Sequence, residues 1–320
     1  MTKKFKILSP LLLLASLVIA GCGQESDHPI KVGTNIWPGY EPGHLANDLG
    51  YFDGSGIKLI QFQSATESIH AFRNGVVDVA AVTLDEAFLL AQDGIDIKII
   101  LVADISDGGD VIVARPEYPS MQDLKGKTIA VENNALGAYV LARALEINGM
   151  TPSDVKIHPI TVDQSEITYE EKQADAVVTF EPFRSFLIAK GAVEVFNSRQ
   201  MPNEIVDVVV TRSENIDKMS DNLDKLVDGW LRAVEYINDN PDKAGEILGK
   251  RLGMSPEDAL RSFDGLSIPG AKDNSKLLSN NGDGSLANSA ERLMNVLVEK
   301  NLLNNRIETK GMLYSKFVEN

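Results

Sequence analysis

The chain has one cysteine in 320 residues, Cys22, so no internal disulfide can form. Its four histidines, His28, His44, His70 and His158, are scattered without the spacing that gathers a metal. No P-loop, dinucleotide fingerprint or nucleophile-elbow pattern is present, so an enzyme is not expected, nor a cofactor or metal. Positive charge is in deficit: 31 Lys and Arg face 46 Asp and Glu, a net charge of −15. Such a balance argues against nucleic acid and anionic lipid surfaces as partners. Low-complexity tracts are absent, and no apolar run reaches the ~20 residues that a membrane span requires.

What is present begins at the N-terminus. Lys3, Lys4 and Lys6 precede a stretch from Ile7 to Ala20 that is apolar except for Ser9, Pro10 and Ser16. A basic segment, a short apolar segment and small residues describe a secretory signal. The run ends in Ile19-Ala20-Gly21-Cys22, which resembles the bacterial lipobox. That likeness implies cleavage before Cys22 and lipid attachment to its sulfur, which would explain a lone cysteine in an exported chain. The remainder would carry a net charge of −18, because residues 1–22 hold three lysines and no acid. Residues 23–28 read as a polar tether.

A weak internal repeat organises the rest. Val77-Asp78-Val79-Ala80-Ala81-Val82-Thr83 leads an apolar helical pattern to Gly94, and Ala174-Asp175-Ala176-Val177-Val178-Thr179 leads another to Gly191. Asp78 and Asp175 lie 97 residues apart, as do Gly94 and Gly191; strands starting at Ile57 and Val155 are 98 apart, Gly50 and Gly149 99. The first strands, Ile30 to Gly33 and Thr128 to Val131, keep nearly the same offset. Each copy reads strand, helix, strand, helix, strand, helix, an α/β pattern whose short apolar strands suit parallel sheets buried on both faces. Asp78 and Asp175, just before strands, read as turn residues rather than ligand contacts. Thr151-Pro152-Ser153-Asp154 reads as a helix start in the second copy.

Two further strands, Val111 to Ala114 and Glu204 to Thr211, read as crossings between two βαβ lobes. The lobes are expected at 29–113 with 210–320, and at 114–209. Helices are expected from Asn222 to Asn240, from Ser255-Pro256-Glu257-Asp258, and from Ser289 to Lys300. The Asn-, Gly- and Asp-rich stretch from Asp273 to Ser285 lacks the oxygen pattern of a calcium loop and reads as a surface loop.

Ligands in open parallel sheets bind beyond the carboxyl ends of strands, near helix N-termini. Strand ends in this chain offer Thr34, Asn35, Trp37, Gly39, Tyr40 and Glu41; then Ser64, Thr66, Thr83 and Asp85; then the Ser106-Asp107-Gly108-Gly109-Asp110 turn. The second copy offers Asn133, Asn134, Gly137, Asp163, Gln164, Ser165, Thr179, Phe180, Glu181 and Phe183. Asn35, Trp37, Tyr40, Ser64, Thr83, Asp85, Asp110, Asn134, Thr179, Phe180 and Glu181 are the site residues expected from these. For Asp110 a turn cap, and for Glu181 a helix N-terminal acid, are equally good readings.

Ile36-Trp37-Pro38-Gly39-Tyr40-Glu41-Pro42, the Ser-x-Gly-x-Asp turn and Thr179-Phe180-Glu181-Pro182 resemble the nitrate/sulfonate/taurine group of ABC-transporter substrate-binding proteins, which includes binders of thiamine-pyrimidine precursors. The likeness covers Ile30 to about Thr211. It implies a two-lobed periplasmic-binding-protein fold of type II character, two hinge crossings, and delivery of a small molecule to a membrane permease by a monomer. Relatives often carry Trp where Phe180 stands. Related eukaryotic pyrimidine-synthesis enzymes carry a cysteine cluster that this chain lacks. A subunit reporting to a membrane sensor would show the same lobes and remains the alternative. The strand-end residues include Glu41, Asp85, Asp107, Asp110, Asp163 and Glu181 and no Lys or Arg, which suits an amine or N-heterocycle better than a sulfonate or nitrate, unless Arg184 intrudes.

Overall fold

The computed structural model describes residues 29–279, 284–309 and 311–319. The leader, Cys22 and the 23–28 tether lie outside them, so the expectations of a signal, a lipobox and a tether fall on residues the structure does not describe.

The first sheet is built from β1 (Ile30–Asn35), β2 (Ile57–Phe62), β3 (Val79–Thr83) and β4 (Ile97–Ser106), with α1 (Glu41–Asp48), α2 (Ala65–Arg73) and α3 (Leu84–Gln92) between them. The second is built from β5 (Val111–Ala114), β6 (Thr128–Glu132), β7 (Lys156–Ile160), β8 (Ala176–Thr179) and β9 (Val193–Asn197), with α4 (Ala135–Ile147), α5 (Ser165–Glu170) and α6 (Phe183–Ala189). The chain then returns through β10 (Val206–Arg212), α7 (Asn215–Lys218), α8 (Ser220–Asp239), α9 (Pro241–Leu252), α10 (Pro256–Arg261), β11 (Leu266–Ser267), α11 (Ala271–Leu277) and α12 (Leu286–Glu299).

Strand order is β11-β4-β10-β3-β1-β2 in one sheet and β7-β6-β8-β5-β9 in the other. The repeat is therefore three-dimensional: β2-β1-β3 and β7-β6-β8 are parallel triplets of the same order. In each sheet an antiparallel strand pairs with the third member: β10, reached only after the second sheet, with β3, and β5, the strand that opens the second sheet, with β8. The aspartates that mark the repeat do the same job in both copies. Asp78 and Asp175 accept the backbone N–H of Lys31 and Thr128, each at 2.9 Å, locking the third strand beside the first. β3 is buried at every residue, as a strand covered on both faces must be. The edge strand β7 is largely exposed and tolerates Pro159, whose missing N–H would break a central ladder.

Several elements depart from the sequence reading. Boundaries at 113/114 and 209/210 cut through strands: β5 lies wholly in the second sheet and β10 wholly in the first. The chain changes sheet before each of them, in residues 107–110 and 198–205. An apolar run has the same character whichever sheet it joins, so composition could not separate crossing from strand. Thr151-Pro152-Ser153-Asp154 starts no α-helix; it makes one 3-10 turn, Pro152–Asp154, closed by Thr151 N–H to the Asp154 carboxylate at 2.8 Å, before β7. Residues 273–277 of the expected surface loop belong to α11, where buried Asn274 accepts from Val102 N–H at 2.7 Å and donates to its carbonyl at 3.1 Å. α12 begins three residues early, on the cap Ser285. α8 and the Ser255-capped α10 fall within two residues of expectation.

Candidate functional site

The carboxyl ends of both parallel triplets face each other across a cleft. In the first copy β1 runs into Trp37-Pro38-Gly39-Tyr40, where proline starts a 3-10 turn and both aromatics are buried. The Trp37 indole N–H donates to Asp104 at 2.9 Å, and the Tyr40 hydroxyl donates to Asp207. Gly39 is required between them: a Cβ there would sit 1.7 Å from the Asp104 carboxylate. From the second copy, Phe180 meets Trp37 edge-to-face, centroids 5.3 Å apart and planes at 89°. Phe183 stands behind Phe180, at 6.0 Å.

Between these walls lies a cavity of about 560 Å³ of atom-free space, part of it open to solvent. Eight of the expected site residues line it: Asn35, Trp37, Tyr40, Thr83, Asp110, Asn134, Thr179 and Phe180. Three do not. Ser64 is turned to cap α2, accepting Glu67 N–H at 3.2 Å. Asp85 is buried at the start of α3, behind Glu86, which reaches the cavity in its place. Glu181 is spent on an ion pair with Arg184 at 2.9 Å and on Ser185 N–H at 3.2 Å. Arg184 also holds Glu194 at 2.9 Å and stays out of the cavity lining.

Glu86, Glu132 and Asp207 line the cavity and were not expected, nor was Asp104 beneath Trp37. Asp104 and Asp207 stand directly opposite each other in the β4–β10 register, both buried. Two carboxylates so placed in low dielectric cannot both ionise freely. Burial pushes both well above the usual carboxylate range; Asp104 and Asp110 raise Asp207 further, and Asp110 raises Asp104 against hydrogen bonds to Trp37 and Asp207 that hold it down. Burial likewise raises Asp110 to about 7, and raises Glu86 with the help of neighbouring Asp85. The lining contains no Lys, Arg or His. Five buried oxygens of residues in or next to the lining make no hydrogen bond within the protein: Thr83 Oγ1, Asp85 Oδ2, Asp104 Oδ1, Asp110 Oδ2 and Thr179 Oγ1. Among the described residues no cluster of His, Cys, Asp and Glu is arranged to hold a metal ion. The site thus combines aromatic faces, hydroxyls, amides and buried carboxyls.

The chain belongs to the NMT1-like family, whose model matches residues 23–249. It is 24% identical over 279 residues to a Bacillus subtilis (strain 168) protein described as a candidate aliphatic sulfonates-binding protein, covering 74% of this chain and 83% of that one. The alkanesulfonate-binding protein SsuA of Xanthomonas axonopodis pv. citri, bound to MOPS, superposes with a TM-score of 0.73 at 14% identity, over 88% of this chain and 97% of its own. The ligand-binding component of an ABC-type import system from Staphylococcus aureus, with zinc bound, superposes at 0.75 and 13%, over 91% and 98%. The two-sheet architecture is that of periplasmic binding proteins, and the resemblance carried by the Trp37 turn and the Thr179 segment holds.

Proposed function

We propose that this chain is an extracytoplasmic solute-binding protein, not an enzyme, that takes a small cationic amine or protonated N-heterocycle into the cleft and hands it to an ABC permease as a monomer. One observation carries the ligand class: the cavity is lined by Glu86, Asp110, Glu132 and Asp207 with no cationic residue. A buried anion there would meet carboxylates and no charge partner, whereas a cation would meet both carboxylates and the faces of Trp37 and Phe180. The names of the relatives favour a second reading, a sulfonate- or nitrate-type anion. That reading requires several of these carboxyls to stay protonated and act as donors. The family and the import-system neighbour support the permease partner. Residues 1–22 support export and a lipid on Cys22; Cys22→Ala should then release the protein from membranes, and a variant still membrane-bound would refute the anchor.

A thermal-shift screen separates the two ligand readings. Primary amines, amidines and aminopyrimidines are run beside nitrate, taurine and alkanesulfonates. Stabilisation by the nitrogen cations is the expected result; stabilisation by the anions alone would reverse the assignment of ligand charge.

A further inference from the structure

Glu132 ends β6 in the second sheet, yet its carboxylate bonds to the first. Its Oε1 accepts the Thr66 hydroxyl at 2.9 Å and the Thr66 backbone N–H at 3.4 Å. Thr66 is the second residue of α2, so this N–H is among those that a helix leaves without an internal partner. Ser64 satisfies Glu67 N–H, and Glu132 reaches across the cleft for Thr66. A helix N-terminus at the mouth of a cleft is where an anion would be stabilised. Here that position is filled by an acid from the opposite sheet. A second contact runs the same way, Asn134 Nδ2 donating to Glu86 Oε1 at 3.1 Å, but Glu86 is already held within its own helix by Thr83 N–H at 3.1 Å. Glu132 has no such bond within its own sheet among the described residues. It is 7% exposed, and burial, with Asp163 and Glu67 nearby, disfavours its charge. The bonds to Thr66 offset part of that cost.

We propose that Glu132 is an intramolecular anion that occupies the N-terminus of α2 and clasps the two sheets together across the cleft, displacing any anionic solute from that position. The inference rests on reading the cleft as the ligand site and deepens it: the residue that holds the cleft shut is also the one that excludes negative ligands.

The protein carries its own reporter. Of its two tryptophans, Trp230 is buried between α8 and α1, where Gly43 leaves room for it, while Trp37 is covered by Phe180 only as long as the sheets meet. Acrylamide quenching of the full chain therefore reads cleft opening through Trp37. Glu132→Ala should raise the quenching constant about twofold as the population shifts to open. Thr66→Val removes the hydroxyl donor from the other side and should act in the same direction. Acetate should raise the melting temperature of Glu132→Ala, by taking the vacated place on α2, without reclosing the cleft, and should leave the wild-type melting temperature unchanged. Wild-type quenching in Glu132→Ala, or a Glu132→Ala protein that acetate does not stabilise, would overturn the proposal. No amine is used, so this result stands apart from the outcome of the ligand screen.

Discussion

Trp37 is fixed on three sides: its N–H on Asp104, its edge against Phe180, and its backbone by the Pro38-Gly39 turn. An aromatic face so immobilised loses little entropy when a cation settles on it. For an amine found by the screen, Trp37→Ala should cost ~1–2 kcal/mol, roughly tenfold in affinity or somewhat more. Asp110→Asn should cost more than that, because the ligand charge would then be buried beside a neutral amide. Calorimetry on both variants checks the order. Equal, wild-type affinities would move the ligand away from the floor of this cavity. The same residues show what was visible in the chain and what was not. Trp37, Tyr40, Asp110 and Phe180 follow or flank strand ends and were found by that rule. Asp207 was missed because β10 runs antiparallel, so its beginning, not its end, lies beside the carboxyl end of β3, opposite Thr83. Glu132 directly follows Thr128 to Val131, within reach of the same rule, and was passed over for Asn133 and Asn134. The signal for Asp104 was there: an acid inside an apolar run is costly unless a buried partner such as the Trp37 indole requires it.

At the scale of elements, the repeat was legible because parallel strands buried on both faces leave uninterrupted runs of small and β-branched residues. Val79-Ala80-Ala81-Val82 and Ala176-Val177-Val178 are such runs, each announced by its aspartate. Helix α8 was legible through its stripe of Leu223, Leu226, Val227, Trp230 and Val234, all buried. Elements fixed by tertiary contact were not. β11 is two residues long and exists because it pairs with the end of β4. α11 carries polar Lys272, Asp273, Asn274 and Ser275 and is held down by one buried amide on Val102. Pro152 resembled a helix start, but the strand expected from Val155 follows so closely, paired along β6, that only one 3-10 turn fits before it.

For the whole molecule, the buried acids link stability to pH. Asp110 at about 7, with Glu86, Asp104 and Asp207 also raised by burial, keeps protons that an unfolded chain releases above ~4. The folded state binds more protons in this window, so this part of its stability is complete at low pH and is lost as pH rises through 7 and beyond. His44, held neutral by burial with its pKa lowered to about 3, opposes this only below ~6.5. The melting temperature of the ligand-free protein should therefore fall between about pH 6.5 and 8.5, and Asp110→Asn should flatten the fall. Affinity for a cation should rise over the same interval, since the ionised carboxyls are the ones it pairs with. A melting temperature that climbs with pH would show the acids ionised in the folded protein.

The return of β10 to the first sheet also sets an order of assembly. Every strand of the second sheet comes from one unbroken stretch, residues 111–197, so that half can complete itself from its own chain. The first sheet cannot: β3 and β4 are neighbours only through β10, which is reached more than a hundred residues after β4 begins. Closing so long a loop is the slow kind of contact. As the polypeptide emerges from its N-terminus, the half that is made first is the half that must wait, standing open until the middle of the chain has folded and returned its last strand.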